Sequence, residues 1–599
     1  MNRLLAYYQK EMHFLKNHGK KFAQRFPKIS RRLGFVDGET EDPHVSRLIE
    51  SFALLTSRIH QRLDDDMPEV TEALLSVLAP QFLRPLPSCC IVMIEPDRQK
   101  SGITGKNELA AGMALFSRQR DPLPCQFHTV YPVTLLPLAV DNAVLHFDSD
   151  ELRWQLQLQF QVWPGAILGD ETIRLYLHGP GNAVNTLYTL LCSEVSSLVL
   201  RHNGIAIELD PGVITAVGFN SEDALISQDS RIAPVHILLL DYFWFPQKFS
   251  FIDIALPAGF QASGNSVFTL QAVFRRNPLT ERLEKLAGLI DVSFFRLHCT
   301  PAINLFTQRA EPISLTDASS EYPVIPDTRH QRHIEVWSVE SVSVQRKVDD
   351  RIQHYVVPPL LESYQGALQG EDAGIAWQGF RRETQHADGP QTRFSIGFSV
   401  RTMRQASSSP EVVTLSLLCT NHALAHHMPY GQQKGDFDTD APVAGLRISA
   451  LTQPTRPVSA PEKADIRWRF LSQLSLNFQL LSGDQGAQHL KAMLALYNFT
   501  DQPGKPQLYH LIQSLDCQPV TARLISNDPH SLARGIELTV TFDRKALHEP
   551  EYYLLCSLLD RLLALYAPVN SFTRLTTCVE HETATRRVWP VRAGKLSWI

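Results

Sequence analysis

Leu152-Arg153-Trp154-Gln155-Leu156-Gln157-Leu158-Gln159-Phe160-Gln161-Val162 is the stretch that decides how most of this chain is read. Every even residue is apolar, and every odd one is Arg or Gln. Period two puts one set of side chains on a buried face and the other in water. Residues 150–163 are therefore predicted to form a half-buried strand, with Trp154 and Leu158 inside and Gln155 and Gln157 outside. Similar runs on either side predict strands at 90–94, 173–177, 236–240, 249–254, 267–274, 333–344, 394–400 and 412–419. Helical inserts are expected at 182–194 and 279–287. No repeat of fixed period runs through this β-rich middle.

Upstream the period changes. Leu5, Tyr8, Met12, Leu15, Gly19, Phe22 and Phe26 step alternately by three and four residues, an a/d seam interrupted only by the glycine. Pro27 ends that helix. Asp42-Pro43 supplies an N-cap and a first-turn proline for a second helix, whose apolar line runs Val45, Leu48, Phe52, Leu55, Ile59, Leu63. A third short helix is expected between Pro68 and Pro80, with Val70, Leu74, Val77 and Leu78 on its apolar side. Downstream, Thr452 to Pro461 holds three prolines and reads as a linker. Helices at 465–481, 486–497 and 550–566 and a strand at 536–542 follow it. Irregular segments are expected at 316–332, 363–374, 383–392, 403–411 and 431–443. The expectation is a multidomain α+β chain: an N-terminal helical region (1–88), a β-rich domain with short helices (89–300), a second β-rich domain (301–455) and a C-terminal α+β domain (456–599). The 599-residue length suits several domains of about 150 residues each.

Composition narrows the function. A net charge of −5 and a pI near 6.5 leave no basic footprint for nucleic acid. The nine cysteines form no CxxC pair and read as reduced thiols of a cytosolic protein. Lys10, Glu11 and Lys16 fall where a secretory signal would be apolar. No run approaches the ~18 apolar residues of a membrane helix. The most apolar window, Val235 to Phe245, carries Asp241 in its middle.

The residues that tempt a chemical reading have plainer ones. His422 and His426 have the i, i+4 spacing of a helical zinc pair, but Ala423-Leu424-Ala425 lies between them and offers no glutamate. Gly179-Pro180-Gly181 lacks the third glycine of a nucleotide fingerprint, because Val184 stands there, and fits a tight strand-to-helix turn. Asp64-Asp65-Asp66 reads as an acidic joint capping the next helix. There is no GxxxxGK[ST] and no GxSxG. No catalytic residue, metal ligand or cofactor is expected.

Several segments resemble the TssF family of type VI secretion baseplate proteins. They are Leu4 to Leu15 (LLAYYQKEMHFL), Phe22 to Ile29, Asp42 to Ile59, Leu63 to Leu75 and Pro80 to Ser88. Leu418 to Asn421, Arg534 to Leu538, Asn570 to Leu575 and Trp589 to Gly594 continue the likeness in the family's order. Val591, where the family often has a second proline, and the vicinal Cys89-Cys90 depart from it. The resemblance implies a non-enzymatic wedge subunit, two copies of which assemble with one TssG, with TssK, TssE and the VgrG spike as neighbours. It also implies a cytoplasmic place at the inner-membrane-docked baseplate, where TssK contacts the membrane complex. On this reading Leu5, Tyr8, Met12, Leu15, Phe22 and Phe26 form an inter-subunit helical interface. From the residues alone the favoured reading is that the same seam packs on residues 43–79 of its own chain, since amphipathic helices usually serve their own core. A wedge protein of a prophage contractile tail and a β-rich hydrolase are the competing readings.

Overall fold

A computed structural model of the chain describes residues 8, 12, 35–36, 39–40, 43–64, 68–98, 100–119, 122–226, 234–315, 319–348, 351–360, 375–386, 389–400, 411–441, 443, 445–460, 464–474, 485–498, 508–523, 532–565, 567, 571–580 and 582–593. The fold is multidomain α+β, and it separates into two compact units. One comprises Met1–Leu83 and Pro461–Leu474; the other comprises Arg84–Ala460 and Ser475–Ile599.

The smaller unit is helical. Its Pro43–Asp64 and Pro68–Leu78 helices each open on a proline, whose missing N–H would have had no intrahelical partner in any case. The Ala464–Leu474 helix returns from far along the chain to pack on Pro68–Leu78. Phe470 stacks on Phe82 with ring centroids 3.8 Å apart, and Arg467 meets Glu72 at 3.4 Å. Two short strands, Phe35–Val36 and Glu39–Thr40, pair antiparallel.

In the larger unit a closed six-stranded barrel draws its strands from Cys89 to Ala450. The order around it is Cys299–Ile303, Cys89–Pro96, Leu446–Ala450, Phe437–Thr439, Ala114–Ser117 and Gln126–Thr129. Closure removes the open sheet edges, and Phe127 meets Phe437 edge to face at 5.4 Å. Beside it in the same unit is an antiparallel five-stranded sheet. In spatial order its strands are Ile205–Leu209, Val195–His202, Val267–Phe274, Arg153–Val162 and Leu138–Asp148. Other antiparallel sheets involve Thr172–Leu177 with Phe251–Ala255, Glu335–Val348 with Val412–Thr420, and Ile375–His386 with Gly389–Val400. Near the C-terminus, Leu532–Phe542 and Phe572–Val579 run parallel. A parallel pair needs a crossover, and the Tyr552–Ala564 helix supplies it.

The alternating stretch is a strand from Arg153 to Val162, with Leu156, Leu158, Phe160 and Val162 buried and Gln157 exposed. Gln155 is a correction: it is buried, not solvated. Its amide donates to Asp148 Oδ2 at 2.7 Å and its carbonyl accepts from Gln271 Nε2 at 2.6 Å, so two polar partners satisfy it. Leu152 belongs to the turn before the strand, exposed and with φ at +52°.

Further expectations change. The segments expected to be irregular at 316–332 and 431–443 contain the short strands Glu321–Pro323 and Phe437–Thr439. Residues 236–240 lie in the Pro234–Trp244 helix rather than a strand, because a helix buried on every side has no polar stripe to betray its period. Residues 383–386 and 389–392 are not irregular; they continue a hairpin paired from Ile375 and Val400 to His386 and Gly389. The Thr452–Pro461 stretch is no loose linker. Leu86 and Val458 exchange backbone bonds of 2.8 and 3.0 Å, Thr455 N donates to Cys89 O, and Thr452 Oγ1 accepts from Ile91 N. The remaining predicted strands at 90–94, 173–177, 249–254, 267–274, 333–344, 394–400 and 412–419 are present, as are the helices at 182–194 and 486–497.

Candidate functional site

The described helices of the smaller unit bury only part of their apolar surface. On Pro43–Asp64, Ala53 and Ser57 face inward, one turn apart. Phe52 and Leu55, expected on the covered line, are 59% and 60% exposed. On Pro68–Leu78, Thr71, Leu75 and then Ala79 are buried, whereas Leu74 and Leu78 stand exposed. Trp468, on the returning helix, is 57% exposed. Each helix is thus apolar over more than one face, and the chain's own core covers one of them. Single exposed leucines are ordinary, but here large apolar side chains are exposed on all three of the described helices of at least ten residues in this unit.

Of the N-terminal seam, Tyr8 and Met12 are helical and half-buried. Leu5, Leu15, Phe22 and Phe26 lie outside the described residues, as do Asp65 and Asp66 of the acidic joint.

The other tempting groups have structural occupations. His422 sits at φ +47° and approaches Glu335 at 4.0 Å. His426 Nδ1 is 2.6 Å from Pro454 O, and its Nε2 accepts from Arg456 at 3.2 Å. His427 Nδ1 is 2.8 Å from Ala423 O. The three rings are therefore committed to different neighbours and do not converge. Gly179 is the strand-to-helix turn it was read as, held close because a Cβ there would lie 2.7 Å from the Phe294 ring.

All nine cysteines are free. Burial pushes the Cys89, Cys90 and Cys299 thiols far up, those of Cys125, Cys192, Cys419 and Cys556 up to about 12, and Cys517 to about 11. A nucleophilic cysteine needs the opposite shift, toward thiolate.

Asp241, the charge inside the most apolar window, proves to be fully buried and paired with Lys248, itself fully buried. Lys248 Nζ also donates to Asp223 O at 2.8 Å, and Asp241 Oδ2 accepts from Leu225 N at 3.2 Å. Burial raises the Asp241 carboxyl above its ordinary value, against the pull of the ammonium. Tyr131 closes the arrangement by donating its hydroxyl to Lys248 O at 2.9 Å. Gly218, at φ +97°, makes room: a Cβ there would lie 2.7 Å from the Tyr131 hydroxyl. Sequence reading flagged Asp241 but not its partner seven residues on.

These features define a class: an α+β scaffold whose buried ion pair and shifted thiols serve its own core and whose helical unit keeps apolar side chains exposed. The model of the family "Type VI secretion system, TssF" matches residues 1–596. The curated type VI secretion system component TssF1 of Pseudomonas aeruginosa is 30% identical over 602 residues, covering 95% of this chain and 96% of its own. The chain belongs to the TssF family of the type VI secretion system.

Two solved structures agree. A chain of the TssK-TssF-TssG baseplate subcomplex, solved by cryo-electron microscopy, superposes with a TM-score of 0.70 at 26% identity, over 92% of this chain and 99% of that one. A chain of the type VI secretion baseplate complex gives 0.59 at 25% identity, over 99% of both. The relatives are structural components of the baseplate.

Proposed function

We propose that this chain is a non-enzymatic wedge subunit of a type VI secretion baseplate, acting in the cytoplasm where the baseplate docks at the inner membrane. Two copies join one TssG through a helical bundle that includes Leu5, Tyr8, Met12, Leu15, Phe22 and Phe26. TssK and TssE are further neighbours around the VgrG spike, and TssK makes the contact with the membrane complex. The wedge supports sheath and tube assembly and passes a change at the spike to the sheath, through contacts that differ between two states of the assembly. The observation that carries the reading is the set of open apolar side chains on the helical unit, of which Phe52, Leu55, Leu74 and Leu78 are the clearest.

The test is co-purification with TssG. Burying a side chain such as Leu15 or Phe22 is worth roughly 1.5–3 kcal/mol, and a charge in its place adds a desolvation cost of several more. Leu15→Asp with Phe22→Asp is expected to abolish capture of TssG while the chain stays soluble and melts cooperatively. Capture at wild-type yield would place the interface elsewhere. Aggregation of the double variant without any partner would assign the seam to the chain's own core.

A further inference from the structure

A cavity of about 320 Å³ opens in the larger unit, between the end of the barrel strand Cys89–Pro96, the strand Leu138–Asp148 and the segment Val292–His298. That volume lies within the range of sites that take a small ligand or a few side chains. Its apolar lining includes Met93, Leu138, Val140, Phe295 and Leu297. Charge is set around this lining. Arg98 is exposed, with its guanidinium 5.7 Å over the Trp163 ring, and Arg296 lines the same opening. Neither arginine has an ion-pair partner among the described residues. The one carboxylate in the lining, Glu95, is already held by Arg447, whose Nε donates to it at 2.7 Å.

The wall also contains two polar groups without partners and one strained residue. Among the described residues, buried Trp163 has no hydrogen-bond partner for its indole N–H, and neither has Arg296 for its Nε. His298 is held at φ +55°, a conformation a ring-bearing residue rarely adopts, and its Nε2 accepts from Leu136 N at 3.1 Å. Strain and unspent donors concentrate where a structure is shaped for a ligand. His298, committed to that bond, adds no charge, so the cavity presents the Arg98 and Arg296 guanidiniums, the second within electrostatic reach of Asp291, over an apolar floor.

We propose that this cavity docks an extended peptide segment of a partner protein, one carrying a carboxylate beside a bulky apolar side chain. The apolar side chain fills the space over Met93, Leu138 and Phe295, and the carboxylate lies against Arg98 and Arg296, where a guanidinium forms charge-assisted bonds. The choice of a protein segment rests on the scaffold role proposed above; the pairing of carboxylate with apolar group rests on the lining alone.

The probe is N-acetyl-Leu-Asp-Phe-amide, titrated against the full chain by saturation-transfer NMR, with N-acetyl-Leu-Asn-Phe-amide and octanoate as comparisons. The aspartyl peptide is expected to bind with a Kd of about 1 mM or better. The asparaginyl peptide should bind at least tenfold more weakly. Arg98→Glu, an exposed change that leaves the core untouched, should weaken the aspartyl peptide tenfold or more, and Arg98→Lys should retain most of the binding. Equal binding of the two peptides, insensitivity to Arg98→Glu, or no transfer to the aspartyl peptide overturns the proposal. Octanoate binding in place of the peptide overturns it in favour of a free amphiphile. Because the titration uses the chain alone, its failure leaves TssG capture, and the wedge reading, standing.

Discussion

Replacing Lys248 by Met removes one half of an ion pair that no water reaches. Lys248 and Asp241 both have side chains of zero exposure, and among the described residues the ammonium's second oxygen partner is Asp223 O. In the variant, Asp241 keeps the bond from Leu225 N, and its Oδ1 has no partner among the described residues. An uncompensated buried charge costs about 3–5 kcal/mol, a large share of the 5–15 kcal/mol that holds a typical domain together. The chain can reduce that cost by protonating Asp241, and this gives the loss a pH signature. Without Lys248 the folded-state pKa of Asp241 rises further above its unfolded value near 3.9. The unfolded state then ionises first, and the variant loses stability relative to the wild type as pH increases from about 4 upward. Urea unfolding followed by tryptophan fluorescence at pH 5 and pH 8 measures both effects. The destabilisation should be the larger at pH 8. Adding Asp241→Leu removes the stranded charge and should return most of the loss, since an apolar pair in place of a buried ion pair is often neutral or better. A single variant that loses less than about 1 kcal/mol, with no pH dependence and no recovery in the double variant, would refute the reasoning.

The strand register predicts that Leu158→Asp prevents soluble expression, because it buries an unpaired carboxylate at a cost of several kcal/mol, whereas Gln157→Asp is tolerated. Equal yields of the two would overturn the register. Burial pushes the Glu551 carboxyl up to about 7, with Glu549 adding to the shift and the bond from Asn185 Nδ2 at 2.9 Å opposing it. Its raised value means that stability is lost as pH climbs from about 4.5 to 7, so Glu551→Gln should stabilise the chain by about 1–3 kcal/mol at pH 8 and hardly at all at pH 4.5, read from denaturant midpoints. Burial also lowers His236, whose Nδ1 lies 2.5 Å from the Tyr497 hydroxyl, and His298 to about 4. Both groups favour folding when neutral, so their contribution is lost as pH falls from 6.5 toward 4. His236→Gln should flatten that acid limb by about one proton in the unfolding-against-pH slope.

What was legible and what was not divides on where the deciding partner lies. The Arg153–Val162 strand declares itself because alternation is a local property, and Leu156 to Val162 obey it. Gln155 breaks the pattern because its partners, Asp148 and Gln271, lie on the two neighbouring strands. The Pro234–Trp244 helix was misread because its surroundings are apolar on every side, which erases the polar stripe that a surface helix carries. Lys248 escaped notice for the same reason as Gln155: nothing in sequence marks a lysine as buried until the fold supplies Asp241, Asp223 O and the space beside Tyr131. At the candidate interface, sequence correctly found helices rich in leucine and phenylalanine. It could not say which apolar face the chain spends on itself, and Leu75 and Leu78, three residues apart on one helix, have opposite fates.

The Thr452–Pro461 stretch, tied into the barrel, fixes where the chain leaves the larger unit. The chain passes between the units after Leu83, Ala460 and Leu474, and the first two of these exits are held together inside the larger unit by the mutual backbone bonds of Leu86 and Val458. The first exit is held further by Trp337, 1% exposed, which donates its indole N–H to Pro85 O at 2.8 Å while the Arg84 guanidinium stacks 4.6 Å over its ring. Trp337 lies in the Glu335–Val348 strand, at a bulge between the pairings of Val336 and Ser338 with Val412–Thr420. The second exit is tied through Thr452 and Thr455 to Cys89 and Ile91 of the barrel. A pull arriving along the backbone at Arg84 or Ala460 therefore meets sheet hydrogen bonds in shear within a few residues, instead of a slack tether that would absorb it as entropy.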